Sequence, residues 1–206
     1  MFNFLIYFAI VLIASFSFLK FLAHAEEDKE TISFGKPGKE FILFTILSAA
    51  ALTFSNYEPK WLLVLTVIYM TICAETDYKE HVVYRICHYF VIIASIYVFV
   101  TTQTLSVWNF PFVYILILAL AHFLKAYREG DTWMFLALGL FLMANGYDDI
   151  GLLLFWLYAI VIFLLMNITK IRYAPLDGEE KKTIRLTAAQ PIGPAIFIAL
   201  LLFIIK

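Results

Sequence analysis

Eight apolar runs, separated by short polar stretches, make up most of this chain. None alternates apolar and polar residues at period two over its length, so the runs are expected to be helices and an outer-membrane barrel is excluded. The first covers about Phe2 to Leu22, long enough for a hydrocarbon core of ~30 Å. Polar residues 24–39, with Gly35, Pro37 and Gly38, separate it from a second helix over about Phe41 to Phe54. A turn at Asn56-Tyr57-Glu58-Pro59 leads to a third, Trp61 to Thr76, which ends on Asp77. Tyr78 to Arg85 is polar and basic. The fourth helix runs from about Ile86 to Thr101. A loop rich in Thr, Gln, Ser and Asn passes through Pro111 into the fifth, Phe112 to Tyr127. The sixth is Thr132 to Ala144, opened by Asp131. Asn145-Gly146-Tyr147-Asp148-Asp149 is a turn. The seventh is about Ile150 to Ile168, residues 170–187 form a charged loop, and the eighth covers Pro191 to Ile205.

The expected architecture is all-α: one polytopic membrane domain over residues 1–206 with about eight transmembrane helices. Ala23-His24-Ala25 has the form of a signal-peptidase site. No basic segment precedes the first run, however, and Lys20 interrupts its end, so a retained helix is expected.

Composition strengthens the membrane assignment. The chain is 63% apolar and 15% charged, with mean hydropathy +0.88, whereas soluble domains are about half apolar and a quarter charged. The net charge of −1 gives no footing for a nucleic acid partner. Cys73 and Cys87 lack C-x-x-C spacing and read as small buried apolar residues; no metal site or cofactor is expected.

Charge sets the orientation. Of the 15 basic residues, all but Lys60 and Lys206 fall in or beside the loops on one side of the eight-helix layout. Positive-inside places those loops in the cytosol and both termini outside, in a multi-pass cytoplasmic membrane protein. The acids sort differently. Asp28 and Asp177 lie in polar loops, and Asp148 and Asp149 on the outer side. Only Asp77 and Asp131 stand at cytosolic helix ends. Asp131 suits the N-terminus of its helix, where a plain N-cap is the simplest account. Asp77, at a C-terminus, is electrostatically misplaced. The stretches 61–77 and 131–146 each span only roughly 22–24 Å at ~1.5 Å per residue, which would recess both acids below the interface. An ionisable group at such a depth is a functional candidate.

With these residues the chain resembles the type IV prepilin peptidases, membrane aspartyl proteases with a GxGD signature. Gly130-Asp131 matches the last two positions of GxGD, and Gly139 stands where that family favours glycine. Asp77 occupies the place of the first catalytic aspartate. Gln190-Pro191-Ile192-Gly193-Pro194-Ala195 resembles the family's proline-glycine-proline stretch. Three positions depart: Arg128 replaces the first glycine, Trp133 a basic residue, and Tyr84 a proline. The cytosolic insertion with paired C-x-x-C motifs, present in many bifunctional members, is absent, which leaves methyl transfer unassigned.

The resemblance implies a GxGD-type aspartyl endopeptidase core over about residues 61–206, with the first two helices accessory. Asp77 and Asp131 would be catalytic; Gly130, Gly139, Pro191, Gly193 and Pro194 would support the site or contact substrate. No cofactor or metal is implied. The partners implied are a pilin-like precursor, cleaved behind its short basic leader at the cytosolic face, and the lipid bilayer. Two adjacent carboxylates share one proton, one taking a proton from water and the other polarising the scissile carbonyl. The alternatives are a small proton- or cation-coupled transporter, since recessed acids serve that task too, and a catalytically inactive scaffold.

Other polar residues have simpler accounts. Glu75, Glu80 and His81 read as solvated or interfacial. Packing and snorkelling suffice for His122 and Lys125. The sequon at Asn167-Ile168-Thr169 lies at a cytosolic helix end and is taken as chance.

Overall fold

A computed structural model describes residues 2–25, 38–80, 83–102, 111–124, 128–167, 171–176, 179–186 and 191–205. Its helices are α1 (Phe2–Ala25), α2 (Lys39–Phe54), α3 (Lys60–Glu80), α4 (Arg85–Thr102), α5 (Phe112–Phe123), α6 (Glu129–Ala144), α7 (Asp149–Asn167) and α8 (Gly193–Ile204). The helical class expected from the apolar runs is thus found. The stretch between α7 and α8, expected as a charged loop, contains two strands, β1 (Ile171–Leu176) and β2 (Glu179–Leu186). They pair antiparallel, Ile171 opposite Leu186 and Tyr173 opposite Ile184. Ile171-Arg172-Tyr173 and Thr183-Ile184-Arg185-Leu186 do alternate at period two, a short strand pattern obscured by the charges around it.

Four helices, α1, α3, α4 and α7, are long and apolar enough to cross a bilayer, as in a membrane protein. The other four have 16, 12, 16 and 12 residues in chain order. Among the long ones α3 is the central helix: 72% of its apolar window is buried by protein, against 22%, 33% and 17% for α1, α4 and α7. A helix so surrounded can hold polar side chains that lipid would reject. Thr66, Thr71, Glu75, Thr76 and Asp77 are all buried on α3.

Two boundaries differ from expectation in ways that matter. α3 does not stop at Thr76 but continues to Glu80, 21 residues in all, or roughly 31 Å at ~1.5 Å per residue. Lys79 and Glu75, one turn apart, pair at 2.6 Å across the added turn, the spacing that supports a helix end. Asp77 therefore lies inside the helix, and neighbouring helices rather than shortness keep it from solvent. α6 begins three residues earlier than expected. Its N-cap is Arg128, without a side-chain cap, so Asp131 is the third helical residue and not the cap.

The ends of the helices sort into two layers. In one, Asp77 of α3 meets Gly193 of α8, and Arg85 of α4 pairs with Glu129 of α6 at 2.7 Å. In the other, the Tyr57 and Tyr147 hydroxyls bond to each other, and both reach the Phe203 carbonyl of α8, at 3.3 and 3.4 Å. Burial and the Tyr147 contact push the Tyr57 hydroxyl well above its ordinary range. Asp149 at the start of α7 accepts from the Tyr114 N–H in the first turn of α5 at 2.9 Å. Here α6 ends in a Schellman motif. Gly146, at φ +84°, takes the left-handed position, with Gly146 N–H bonded to Met143 O and Tyr147 N–H to Leu142 O. α3, α6 and α8 each run from one layer to the other, α3 and α8 in opposite directions.

Candidate active site

Asp77 and Asp131 come together in the first of these layers. Asp77 is 3% exposed and Asp131 8%, and the Asp77 carboxylate acts electrostatically on Asp131. Each is held by a backbone N–H. Asp131 reaches back to the N–H of Arg128, satisfying one of the donors a helix start leaves open. Asp77 accepts the N–H of Gly193 at 2.6 Å.

That second bond accounts for Asp77 at the end of α3. The C-terminus of α3 disfavours a carboxylate, but the N-terminus of α8 favours one. α8 needs it in turn, because its N-cap, Ile192, has no capping side chain. Gly193 N–H goes to Asp77 and Pro194 has none to offer. Ala195 and Ile196 N–H bond to Ile192 O at 2.9 and 3.0 Å. α8 thus starts regularly at Gly193, two residues later than expected, with Pro194 in its first turn. Residues 187–190, just ahead of it, lie outside the described residues.

The residues expected to support the site divide. Gly193 touches it: a Cβ there would stand 2.9 Å from Asp77 Oδ2 and 3.0 Å from Asp77 Cβ. Gly130 lets Val83 pack on the first turn of α6, where a Cβ would come within 3.2 Å of Val83 Cβ. Pro194 is buried in α8 and Pro191 is half-buried just before it. Gly139 lies two turns further along α6, against the Tyr114 ring. Tyr114 in turn donates its hydroxyl to Phe135 O at 2.7 Å, so Gly139 serves the packing of α5 on α6.

The departures are accommodated. Arg128 sits at φ −69°, ψ 156°, a backbone conformation that needs no glycine. Trp133 turns to α4, stacking on His88 with ring centroids 6.4 Å apart and meeting Tyr89 edge-on. Tyr84 offers its carbonyl to Cys87 N–H at 3.1 Å, at the start of α4.

Several site residues were not anticipated. Glu75, expected as solvated or interfacial, is 1% exposed and paired with Lys79; its i, i+4 partner was visible in the sequence, its burial was not. Tyr69, Cys73 and Asp77, spaced i, i+4, i+8, follow one edge of α3. Cys73 and Cys87 are buried as expected, but their thiols also meet across α3 and α4. Tyr69 bonds to His88 Nδ1 at 2.7 Å. His88 Nε2 has no hydrogen-bond partner among the described residues. His81, Lys125 and the Glu80 side chain lie outside the described part. His122 reaches Thr132 at 3.4 Å on the rim of a cavity of about 260 Å³ between α5 and α6. That cavity follows Glu129, Thr132, Trp133 and Leu136, a stripe on the other side of α6 from Asp131. Among the described residues no three His, Cys, Asp or Glu side chains gather as a metal site requires. Comparison of the chain with family models, curated proteins and solved structures finds no match.

Proposed function

We propose that the chain is an aspartic endopeptidase of the prepilin-peptidase kind, with Asp77 and Asp131 as its catalytic pair. One observation carries this. Two carboxylates 54 residues apart in sequence share one buried place, each held by a backbone N–H. A buried acid is costly unless it is hydrogen-bonded, and two together are costlier still. Such a pair suits amide hydrolysis by water. One carboxylate takes a proton as water attacks the scissile carbonyl. The other, protonated, donates a hydrogen bond to that carbonyl oxygen and then passes its proton to the leaving amine.

In this proposal all eight helices cross the membrane, both termini lie outside and the pair faces the cytosol. The substrate is a pilin-like precursor whose basic leader meets an apolar helix at that level. The test is cleavage of such a precursor by Asp77→Asn and Asp131→Asn proteins that still insert and accumulate. Each should lose cleavage, since the amide is nearly isosteric but cannot exchange a proton. Near wild-type processing by either variant removes that residue from the pair.

A second reading has its own support. Cys73 and Tyr69 continue a buried line from Asp77 deeper along α3, and Tyr69 bonds to the buried His88 of α4, as a proton-handling membrane protein would need. Proton flux into liposomes that Asp77→Asn abolishes, with no precursor cleaved by the wild type, would favour it.

A further inference from the structure

Glu75 plays no part in the reaction just described, yet it is as deeply buried as Asp77, two residues on. Its Oε1 meets Lys79 Nζ at 2.6 Å, and its Oε2 has no hydrogen-bond partner among the described residues. Lys79 lies against the start of α2: a Cβ at Gly38 would be 3.5 Å from Lys79 Cε and 3.6 Å from Nζ. One turn deeper, Thr71 bonds to Ser48 of α2 at 2.8 Å. Thr71, Glu75 and Lys79 form a second i, i+4, i+8 line along α3, on the opposite face from Tyr69, Cys73 and Asp77. The last turn of α3 is therefore gripped from both sides. On one face Gly193 of α8 holds Asp77; on the other, Lys79, paired with Glu75, lies against the start of α2.

An ion pair of this kind is a poor device for stability. Replacing a buried pair by apolar side chains of similar volume is often neutral or stabilising, whereas removing one partner is not. It is well suited to fixing geometry. Helix ends fray, and a catalytic group must stay within about 0.5 Å of its working position. We propose that Glu75 and Lys79 are positioning residues that brace the Asp77 turn against α2, making the α1–α2 pair part of the working site. The inference rests on the peptidase proposal for its kinetic readout, but not for its structural one.

The experiment uses the full chain in lipid nanodiscs with three variants: Lys79→Met, Lys79→Arg and the double Glu75→Met/Lys79→Met. Lys79→Met alone strands a buried carboxylate and should accumulate poorly. The double variant removes both charges and should accumulate like the wild type. Its kcat for a pilin-like precursor should fall at least ~10-fold with KM within about twofold, because a displacement of about 1 Å costs up to ~100-fold. Lys79→Arg should keep kcat within about threefold. Amide exchange at residues 76–79 should quicken by ~10-fold in the double variant as the turn loosens. Wild-type kcat and wild-type exchange in the double variant would overturn the brace. If the wild type cleaves nothing while exchange at 76–79 still quickens, the brace stands and the peptidase proposal falls.

Discussion

The backbone N–H of Gly193 donates to the Asp77 carboxylate across 2.6 Å of buried space, joining helix ends 116 residues apart in sequence. Two local irregularities cancel at this contact. Asp77 is a carboxylate near the wrong end of its own helix, and α8 starts without a capping side chain. A similar exchange occurs in the opposite layer, where Asp149 caps α5. Asp149, however, stays partly exposed. Asp77 is nearly sealed and has Asp131 within electrostatic reach. Capping explains one carboxylate at a helix start; it does not explain two buried within electrostatic reach of each other.

Gly193 should therefore be the most side-chain-intolerant position of the site outside the two acids. Alanine would place its Cβ 2.9 Å from Asp77 Oδ2 and 3.0 Å from Asp77 Cβ, so Asp77 has to move. Gly193→Ala should lower precursor cleavage by ~10-fold or more, and Gly193→Leu to background. Folded yield should fall much less, because the helix start keeps its N–H. The ratio of cleavage to folded protein is the quantity to measure. Unchanged cleavage by well-expressed Gly193→Leu would show that the stretch only starts a helix.

The helices were legible because apolar runs are set apart by short polar stretches, and the two aspartates because they alone among the aspartates stood at helix ends on one face. What the sequence hid came from contacts between distant segments. The extra turn of α3 contains Tyr78, Lys79 and Glu80, polar residues that looked like a loop until the Glu75–Lys79 pair was seen to hold them. The partner of Asp77 was half legible. Proline and glycine at 191–194 marked a helix start, but only tertiary packing shows that its N–H points at Asp77. Gly139 shows the reverse limit. Its spacing from Asp131 matched a family pattern, yet its missing Cβ makes room for Tyr114, a neighbour that spacing along the chain does not reveal.

Gly130 should be coupled to Val83. A Cβ at Gly130 would stand 3.2 Å from Val83 Cβ, so Gly130→Ala overpacks the contact by about 1–3 kcal/mol. Alanine in place of a helical glycine recovers roughly 0.5–1 kcal/mol. The strain is the larger amount, and the single variant should be less stable by about 1 kcal/mol. In a Val83→Gly background the opposing Cβ is gone and the strain with it, and the same substitution should become stabilising by a few tenths of a kcal/mol or more. Thermal unfolding of the four proteins in one detergent gives the cycle. Equal effects of Gly130→Ala in both backgrounds would separate the two residues. Cleavage should follow the same cycle, since Asp131 is the next residue on the same helical turn.

The orientation of the pair is the condition on which the substrate depends. Asp77, Arg85, Arg128, Glu129 and Gly193 lie in one layer of helix ends, and Tyr57, Tyr147 and Asp149 in the other. Whichever side the first layer faces, both acids face it too. In the proposed eight-crossing layout, the layer with Asp77 adjoins the loops that hold all but Lys60 and Lys206 of the 15 lysines and arginines, which would place it in the cytosol. Cytosolic retention of Lys and Arg is strongest for short loops such as these. Single cysteines at Ser33 and Glu180, in a Cys73→Ala/Cys87→Ala background, should react with a membrane-impermeant maleimide only after permeabilisation of intact cells. A cysteine at the exposed Asp148 should react without it. Labelling in the reverse order would put Asp77 and Asp131 on the outer face, away from a cytosolic leader. Labelling of Ser33 and Glu180 on different sides would remove a crossing from the eight and break the alternation on which the shared layer rests.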